Sequence, residues 1–154
     1  MSEDDFVKFF ESQYKKMVQF DKHLGMTLTV IEPGKVSYSL KIKEFHLTAP
    51  KSAHGGVTAA MMDATLGVAA LSYAVSKGNL CATVEFKINY IKQARPGIVM
   101  VSEGSVQHAG KRLIVSHAEI KEEQTGDLIA LGLGTFTQYP LERRSDLPAP
   151  YEEF

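Results

Sequence analysis

A length of 154 residues fits a single domain with its own hydrophobic core. The formal net charge is −1, with acids and bases mixed along the chain, which argues against nucleic acid as a partner. The only cysteine, Cys81, excludes an internal disulfide and fits a reducing compartment, and we expect it to be buried. The acidic N-terminus lacks an apolar signal core, so we expect a cytoplasmic protein.

The first part of the chain predicts a helix followed by a hairpin. Aromatic and aliphatic residues recur at intervals of three and four over about residues 3–20, the period of an amphipathic helix. Apolar and polar residues then alternate over residues 36–42, which predicts a half-buried strand. Residues 26–31 are its expected partner across the turn at 32–34, and residues 43–53 are predicted to be a loop.

A long apolar helix is predicted next, over about residues 56–75. Residues 53–76 hold no Lys or Arg and a single acid, Asp63. A charge in the middle of a membrane span is disfavoured by roughly 2.5 kcal/mol or more, so we predict a buried helix of a soluble domain instead. A buried, unpaired carboxylate usually has a partner, a raised pKa or a function, which makes Asp63 the first candidate functional residue.

The remainder predicts a sheet. Alternating patterns separated by turn residues indicate four strands, over residues 82–91, 98–107, 111–121 and 128–138. The order of helix, two strands, long helix and four strands favours an α+β fold in which a curved antiparallel sheet wraps around the long helix. We therefore predict one domain over residues 1–138 and a C-terminal tail over residues 139–154.

The segment His54-Gly55-Gly56, followed after six residues by Asp63 and an Ala- and Gly-rich helix, resembles the hotdog-fold acyl-CoA thioesterases. The PaaI type, named for phenylacetyl-CoA hydrolysis, is the most similar subgroup. Four later stretches share the resemblance, namely residues 83–90, 94–97, 110–112 and 130–136. The resemblance covers roughly residues 24–138. It implies a hotdog fold, a homodimer whose sheets join edge to edge, pairing of dimers into a homotetramer, and an active site between subunits.

The resemblance also implies a chemistry for the two conspicuous elements. The N–H of Gly55, with Gly56 beside it, would bind the thioester oxygen at a helix N-terminus. Asp63 of the opposite subunit would act as general base or as nucleophile, and the sequence leaves both roles open. The structural alternatives are a glycine turn that only admits the helix, and a carboxylate satisfied by Thr58, by Thr65 or by another helix end.

Three further side chains are candidates for the catalytic site. Thr83 matches a hydroxyl that positions the water or the acid, or it is a solvent-facing strand residue. His54 orients the loop, contacts the substrate carbonyl, or has only a structural hydrogen bond. Thr48 stands where the subgroup commonly has an Asn that contacts the thioester, and His46 either compensates or is a surface residue. This substitution favours the alternative of a non-catalytic acyl-CoA-binding or sensing protein, whereas Asp63 argues for an enzyme.

The resemblance places the CoA moiety near the strand end and turn at residues 90–95 and the turn at residues 108–112. Basic side chains there could pair with phosphates or simply be solvated. The candidates for contact with CoA are Gly56, Tyr90, Arg95, His108, Gly110, Lys111 and Arg112. The candidates for the acyl pocket, most of which fit an ordinary core equally well, are Met61, Met62, Leu66, Tyr73 and the Phe6–Phe10 cluster.

No metal or separate cofactor is expected, since CoA is part of the substrate. The five histidines show no close ligand spacing. A hotdog hydratase would place an acid and a histidine one helical turn apart. The positions one turn from Asp63 are Ala59, Ala60, Leu66 and Gly67, which disfavours that activity.

Overall fold

The computed structural model describes residues 2–141, and its elements follow the predicted order. The N-terminal part contains α1 (Glu3–Met17), α2 (Phe20–Leu24), β1 (Thr27–Glu32) and β2 (Lys35–Lys41). A 3-10 turn, Glu44–His46, then leads through β3 (Leu47–Ala49) and β4 (Ser52–Ala53) into the long helix α3 (Gly55–Ser76). The C-terminal half contains β5 (Asn79–Tyr90), β6 (Val99–Ala109), β7 (Leu113–Glu122) and β8 (Leu128–Pro140).

A six-stranded antiparallel sheet surrounds α3. The strand order is β1-β2-β6-β7-β8-β5, and α3 packs against β2, β5, β6, β7 and β8. Strands β1 and β5 form the two edges, so one side of each has no neighbour in this sheet. The predicted α+β architecture, an antiparallel sheet around one long helix, is confirmed. By length and composition α3 could cross a membrane, but most of it is buried inside the domain, as expected for a core helix.

Small residues on the sheet allow α3 to approach it closely. A Cβ atom on Gly104 of β6 would lie 2.6 Å from the Cγ2 of Thr65 and 3.0 Å from its carbonyl oxygen. A Cβ on Gly132 of β8 would lie 2.5 Å from the Sδ of Met62. The polar groups of the contact are satisfied, because the hydroxyls of Thr65 and Ser102 hydrogen-bond at 2.6 Å. The helix is therefore held at one depth and one rotation against the sheet.

The predicted helix over residues 3–20 is in fact two helices. The helical pattern of apolar residues continues through the break, but Val18 leaves the helix with extended backbone angles, φ −79° and ψ 113°. The second helix ends at Gly25, whose φ of +79° suits a residue without a side chain. Because the chain turns between α1 and α2, Asp21 of α2 faces inward and is only 6% exposed.

Three smaller predictions need correction. Residues 43–53 contain the β3–β4 hairpin rather than a loop alone, because two- and three-residue strands are too short to show alternation. Strand β8 continues to Pro140, where it pairs with Asn79, so the domain extends past residue 138. Cys81 is half-buried rather than fully buried. Most of the predicted tail, residues 142–154, lies outside the described residues.

Candidate active site

The N-terminus of α3 is closed by a histidine cap. The Nδ1 of His54 accepts a hydrogen bond from the N–H of Gly56 at 2.8 Å. A Cβ on Gly56 would lie 2.8 Å from that same nitrogen, so glycine gives the imidazole room to close over the turn. The N–H of Val57 donates to the carbonyl of His54 at 2.9 Å. Within the described residues, the N–H of Gly55 is left without an acceptor, at an exposed helix start where an anion is stabilised.

Tyr90 supports this turn from the end of β5. Its hydroxyl donates to the carbonyl of Gly55 at 3.0 Å, and its ring is 54% exposed. Arg95 is exposed in the next connection, directly after Ala94, whose carbonyl accepts from the N–H of Ala53 at 2.8 Å. These contacts place Tyr90 and Arg95 at the same end of the sheet as Gly55, together with the exposed Thr48 of β3.

His46 has a structural role, and the prediction of a surface histidine is wrong. It is 2% exposed, and its Nδ1 accepts from the N–H of Lys43 at 2.9 Å. Its Nε2 therefore carries the proton and donates to the carbonyl of Leu24 at 2.9 Å. Both ring nitrogens are used, so His46 does not replace the amide missing at Thr48. Its carbonyl also accepts from the N–H of His54 at 2.7 Å, which anchors the helix cap.

Asp63 lies two helical turns from Gly55, a separation of about 12 Å along the axis of α3. The prediction that it is buried is wrong for the single chain, where its side chain is exposed. The sheet covers the other sides of α3 and leaves open a stripe of small residues around Asp63, including Ala60, Ala64 and Gly67. Within the described residues the Asp63 carboxylate has no hydrogen-bond donor, so the alternative of a carboxylate satisfied by nearby threonines is not supported.

The electrostatic surroundings of Asp63 favour its neutral form. Partial burial raises the pKa of the Asp63 carboxyl above its usual range, and the negative charge of Asp21 is the second cause. A raised pKa brings a carboxylate closer to the basicity needed to accept a proton near neutral pH. Asp63 is thus an unpaired carboxylate with enhanced basicity, accessible from outside the chain.

A cavity of about 310 Å³ opens beside Asp63. Thr83 lies on its wall, so the structure brings together these two predicted catalytic residues. Apolar side chains from three parts of the chain line the rest, namely Val18, Phe20, Leu71 and Phe136. The predicted acyl-pocket residues are elsewhere. Met61, Met62 and Leu66 are fully buried core, Phe10 is also buried, and Phe6 and Tyr73 line a separate cavity.

The predicted CoA contacts are divided between opposite ends of the sheet. Tyr90 pairs with Ala130 near the start of β8, whereas Leu113, directly after the turn at residues 110–112, pairs with Thr137. The separation of seven positions on β8 corresponds to about 23 Å. His108, Gly110, Lys111 and Arg112 therefore lie far from the Gly55 end. A backbone hydrogen bond of 2.8 Å from Gly110 to Leu113 closes their turn, and Lys111 and Arg112 are exposed.

The predicted site residues thus form two separate groups within one chain. The first, which we call the cap half-site, comprises Gly55, Gly56, His54, Tyr90, Arg95 and Thr48. The second, the acid half-site, comprises Asp63 and Thr83 on the cavity, and the turn at residues 108–112 lies beyond it along the sheet. Sequence reasoning missed Asp21 and Tyr14 on the cavity wall, since their proximity to Asp63 depends on the break between α1 and α2.

Comparison with known proteins agrees with this architecture. Acyl-coenzyme A thioesterase 13 of Homo sapiens is 33% identical over 121 residues, which are 78% of this chain and 85% of that protein. The structure of thioesterase superfamily member 2 from Mus musculus superimposes with a TM-score of 0.75 at 27% identity, covering 89% of this chain and 98% of that one. The E. coli PaaI protein from the phenylacetic acid degradation operon shares the fold, with a TM-score of 0.81 at 20% identity over 90% and 96% of the two chains. Residues 51–129, which include both glycines of the cap and Asp63, match the family model for the thioesterase superfamily, and the chain belongs to that family and has its hotdog fold.

Proposed function

We propose that this chain is an acyl-CoA thioesterase whose active site is completed by a second copy. It hydrolyses acyl-CoA thioesters to the free acid and CoA, the activity named for its human relative. One observation carries the two-copy site. Gly55, with its free N–H, and Asp63, with its unpaired carboxylate, are separated by about 12 Å along the axis of one rigid helix, too far to act on the same carbonyl.

The open edge of β5 supports the arrangement of the two copies. This strand is 12 residues long and pairs, among residues 2–141, only with β8, and such an edge is a template for another strand. A two-fold axis across β5 would set the Tyr90 end of one copy beside the Asn79 end of the other. The cap half-site of one copy would then face the acid half-site and the turn at residues 108–112 of its partner. The stripe around Asp63 would be covered in the same step.

The chemistry of the combined site follows from these positions. The thioester oxygen would accept a hydrogen bond from the N–H of Gly55, which stabilises the oxyanion as the carbonyl is attacked. Asp63 would either remove a proton from the attacking water or attack the carbonyl itself and form an anhydride that water then hydrolyses. Thr83 would hold the water or the carboxylate. In both routes the C–S bond breaks and CoA leaves as a thiolate that takes up a proton.

The exposed basic residues suit the phosphates of CoA. Arg95 beside Tyr90 on one copy, and Lys111 and Arg112 with His108 and Gly110 on the other, would flank the nucleotide from two sides. The apolar wall of the cavity beside Asp63 would receive the acyl group. No metal is part of this proposal, and no three potential ligands converge within residues 2–141. We further propose a cytoplasmic location and pairing of dimers into tetramers.

Release of CoA thiol from aromatic and aliphatic acyl-CoAs of increasing length tests the activity. We expect turnover by the wild type and a loss of at least ~100-fold in Asp63→Asn, the effect of removing a general base. Asp4→Asn is the matched control, because Asp4 is exposed in the first turn of α1, outside both half-sites. Light scattering on the same samples reports the number of copies.

The second candidate is an acyl-CoA-binding protein without turnover, which the presence of Thr48 in place of an amide favours. Tight acyl-CoA binding by the wild type with no thiol release on any substrate would support it. Thr48→Asn would then be the next variant, with restored turnover as the result that links this position to activity. Comparable turnover by wild type and Thr48→Asn would instead exclude the second candidate.

A further inference from the structure

Asp21 is a buried carboxylate with no role in the chemistry described so far. It is 6% exposed, and its Oδ2 accepts a hydrogen bond from the hydroxyl of Tyr38 at 2.7 Å. Tyr38, on β2, is itself 1% exposed. Within the described residues no Lys, Arg or His forms an ion pair with Asp21. Burial of a carboxylate without a cation is costly, so its presence calls for a reason beyond packing.

Asp21 shares a cavity with Asp63. Both line the space of about 310 Å³, with Tyr14 of α1 on the same wall. Burial raises the pKa of the Asp21 carboxyl, and hydrogen bonding to Tyr38 and Tyr14 opposes that effect by favouring the charged form. Within the described residues no comparable donor serves Asp63. The two acids therefore differ, because hydroxyls stabilise the charge of Asp21 while Asp63 is left free to take a proton.

We propose that Asp21 is a positioning residue for Asp63, a carboxylate held by the Tyr38 hydroxyl on the wall of the same cavity, whose negative charge makes Asp63 a stronger base. Asp21 touches neither the substrate nor the reacting atoms. Its effect is transmitted through space, as the interaction of two like charges in a partly desolvated cavity. The inference rests on the proposed role of Asp63, and it adds the feature of this chain that tunes that role.

Within one chain, the tyrosine, cysteine and lysine side chains around the pair do not change charge in the acid range. Burial raises the pKa of Tyr14 and Tyr38 above the usual range, and that of Cys81, on β5, to about 12. Lys15 is paired with Glu11 at 2.5 Å. Lys22 lines a second cavity, of about 230 Å³, together with Asp21 and Tyr14. Within one chain, Asp21 is thus the acidic group on the cavity whose charge acts on Asp63.

Carbon-13 NMR of aspartate-labelled protein measures this coupling directly. The Asp63 carboxyl signal is identified by its loss in Asp63→Asn. We expect Asp21→Asn to lower the midpoint of the Asp63 titration by roughly 0.5–1 pH unit, because a negative charge has been removed. The acid limb of kcat/KM should move to lower pH by the same amount, with a small change in KM. Glu122→Gln is the matched control, since Glu122 is a 7% exposed acid beside Lys92 and away from the cavity.

Two outcomes would overturn the inference. One is a folded Asp21→Asn protein with an unchanged Asp63 midpoint, and the other is an equal shift in Glu122→Gln. If Asp21→Asn does not fold, Tyr38→Phe retains the carboxylate and removes one donor. We then expect a higher Asp21 midpoint and a smaller downward shift for Asp63. If neither variant folds, the wild-type protein still provides a test. The chemical shift of the Asp63 carboxyl should change at the pH where Asp21 titrates, and a titration curve without that change would refute the coupling. The wild-type protein could show no turnover while its Asp63 midpoint still depends on Asp21. That result would reject the proposed function and leave the coupling of the two acids in place.

Discussion

Replacing Gly55 with proline exchanges the N–H of the cap half-site for a ring carbon, at a backbone position that accepts proline. Gly55 is the first residue of α3 after the cap residue His54, a position where proline is favoured because its missing N–H bonds nothing within the helix. His54 already has φ −60° and ψ 133°, the region preferred before proline. A Cβ on residue 55 would lie 3.7 Å from the ring of Tyr90, an ordinary contact.

The expected loss of kcat in Gly55→Pro is that of one oxyanion donor. Loss of one oxyanion donor costs about 2.7–4 kcal/mol of barrier, or roughly 10²–10³ in kcat. Gly55→Ala is the control, because it adds the same Cβ and keeps the N–H, and we expect it to stay within about threefold of wild type. The assay is thiol release at saturating acyl-CoA, with thermal unfolding to confirm that both variants fold. A folded Gly55→Pro enzyme that matches Gly55→Ala in kcat would refute the oxyanion role.

Three further results are expected. Mixing Gly55→Pro and Asp63→Asn chains after unfolding should restore about a quarter of wild-type activity, since half of the dimers are mixed and each holds one intact site; no recovery would contradict the two-copy site. Gly104→Ala should lower the free energy of unfolding by about 1–3 kcal/mol in denaturant titrations, because its Cβ would meet Thr65 at 2.6 Å, and an unchanged midpoint would show that the helix can shift. Asp21 has a folded-state pKa raised by burial, so its contribution to stability decreases as pH rises from below its unfolded pKa through the folded one. Asp21→Asn should therefore melt above wild type at mildly alkaline pH and together with it in acid, and a constant difference would contradict the sign.

The sheet and the long helix were predictable because their patterns are local. Alternation over residues 36–42 reflects a strand that is buried on one face. The uniform apolar run of α3 reflects a helix that is buried on most sides. The start of α3 was predictable for a similar reason, because two glycines directly before an apolar run admit the turn into a helix. In each case neighbouring residues carry the whole signal.

Features that depend on distant contacts were not predictable. Asp21 and Tyr38 are 17 positions apart and hydrogen-bond only because α2 turns away from α1. The exposure of Asp63 depends on which sides of α3 the sheet reaches, which the composition of the helix does not encode. The sequence around His46 predicts a loop residue. Its side chain is nevertheless buried, and its two ring nitrogens hydrogen-bond to the backbone of Lys43 and of Leu24.

The charges on the edge strand β5 also affect how readily copies of this protein aggregate. Glu85 and Lys87 are both exposed on it, one residue to either side of Phe86. In an antiparallel pair centred on Phe86, each glutamate would oppose the lysine of the other copy, an attraction that occurs twice. Parallel in-register stacking, the arrangement of amyloid, would instead set glutamate on glutamate and lysine on lysine. The two charges on this edge strand therefore favour pairing with one antiparallel copy and disfavour the parallel stacking of many copies.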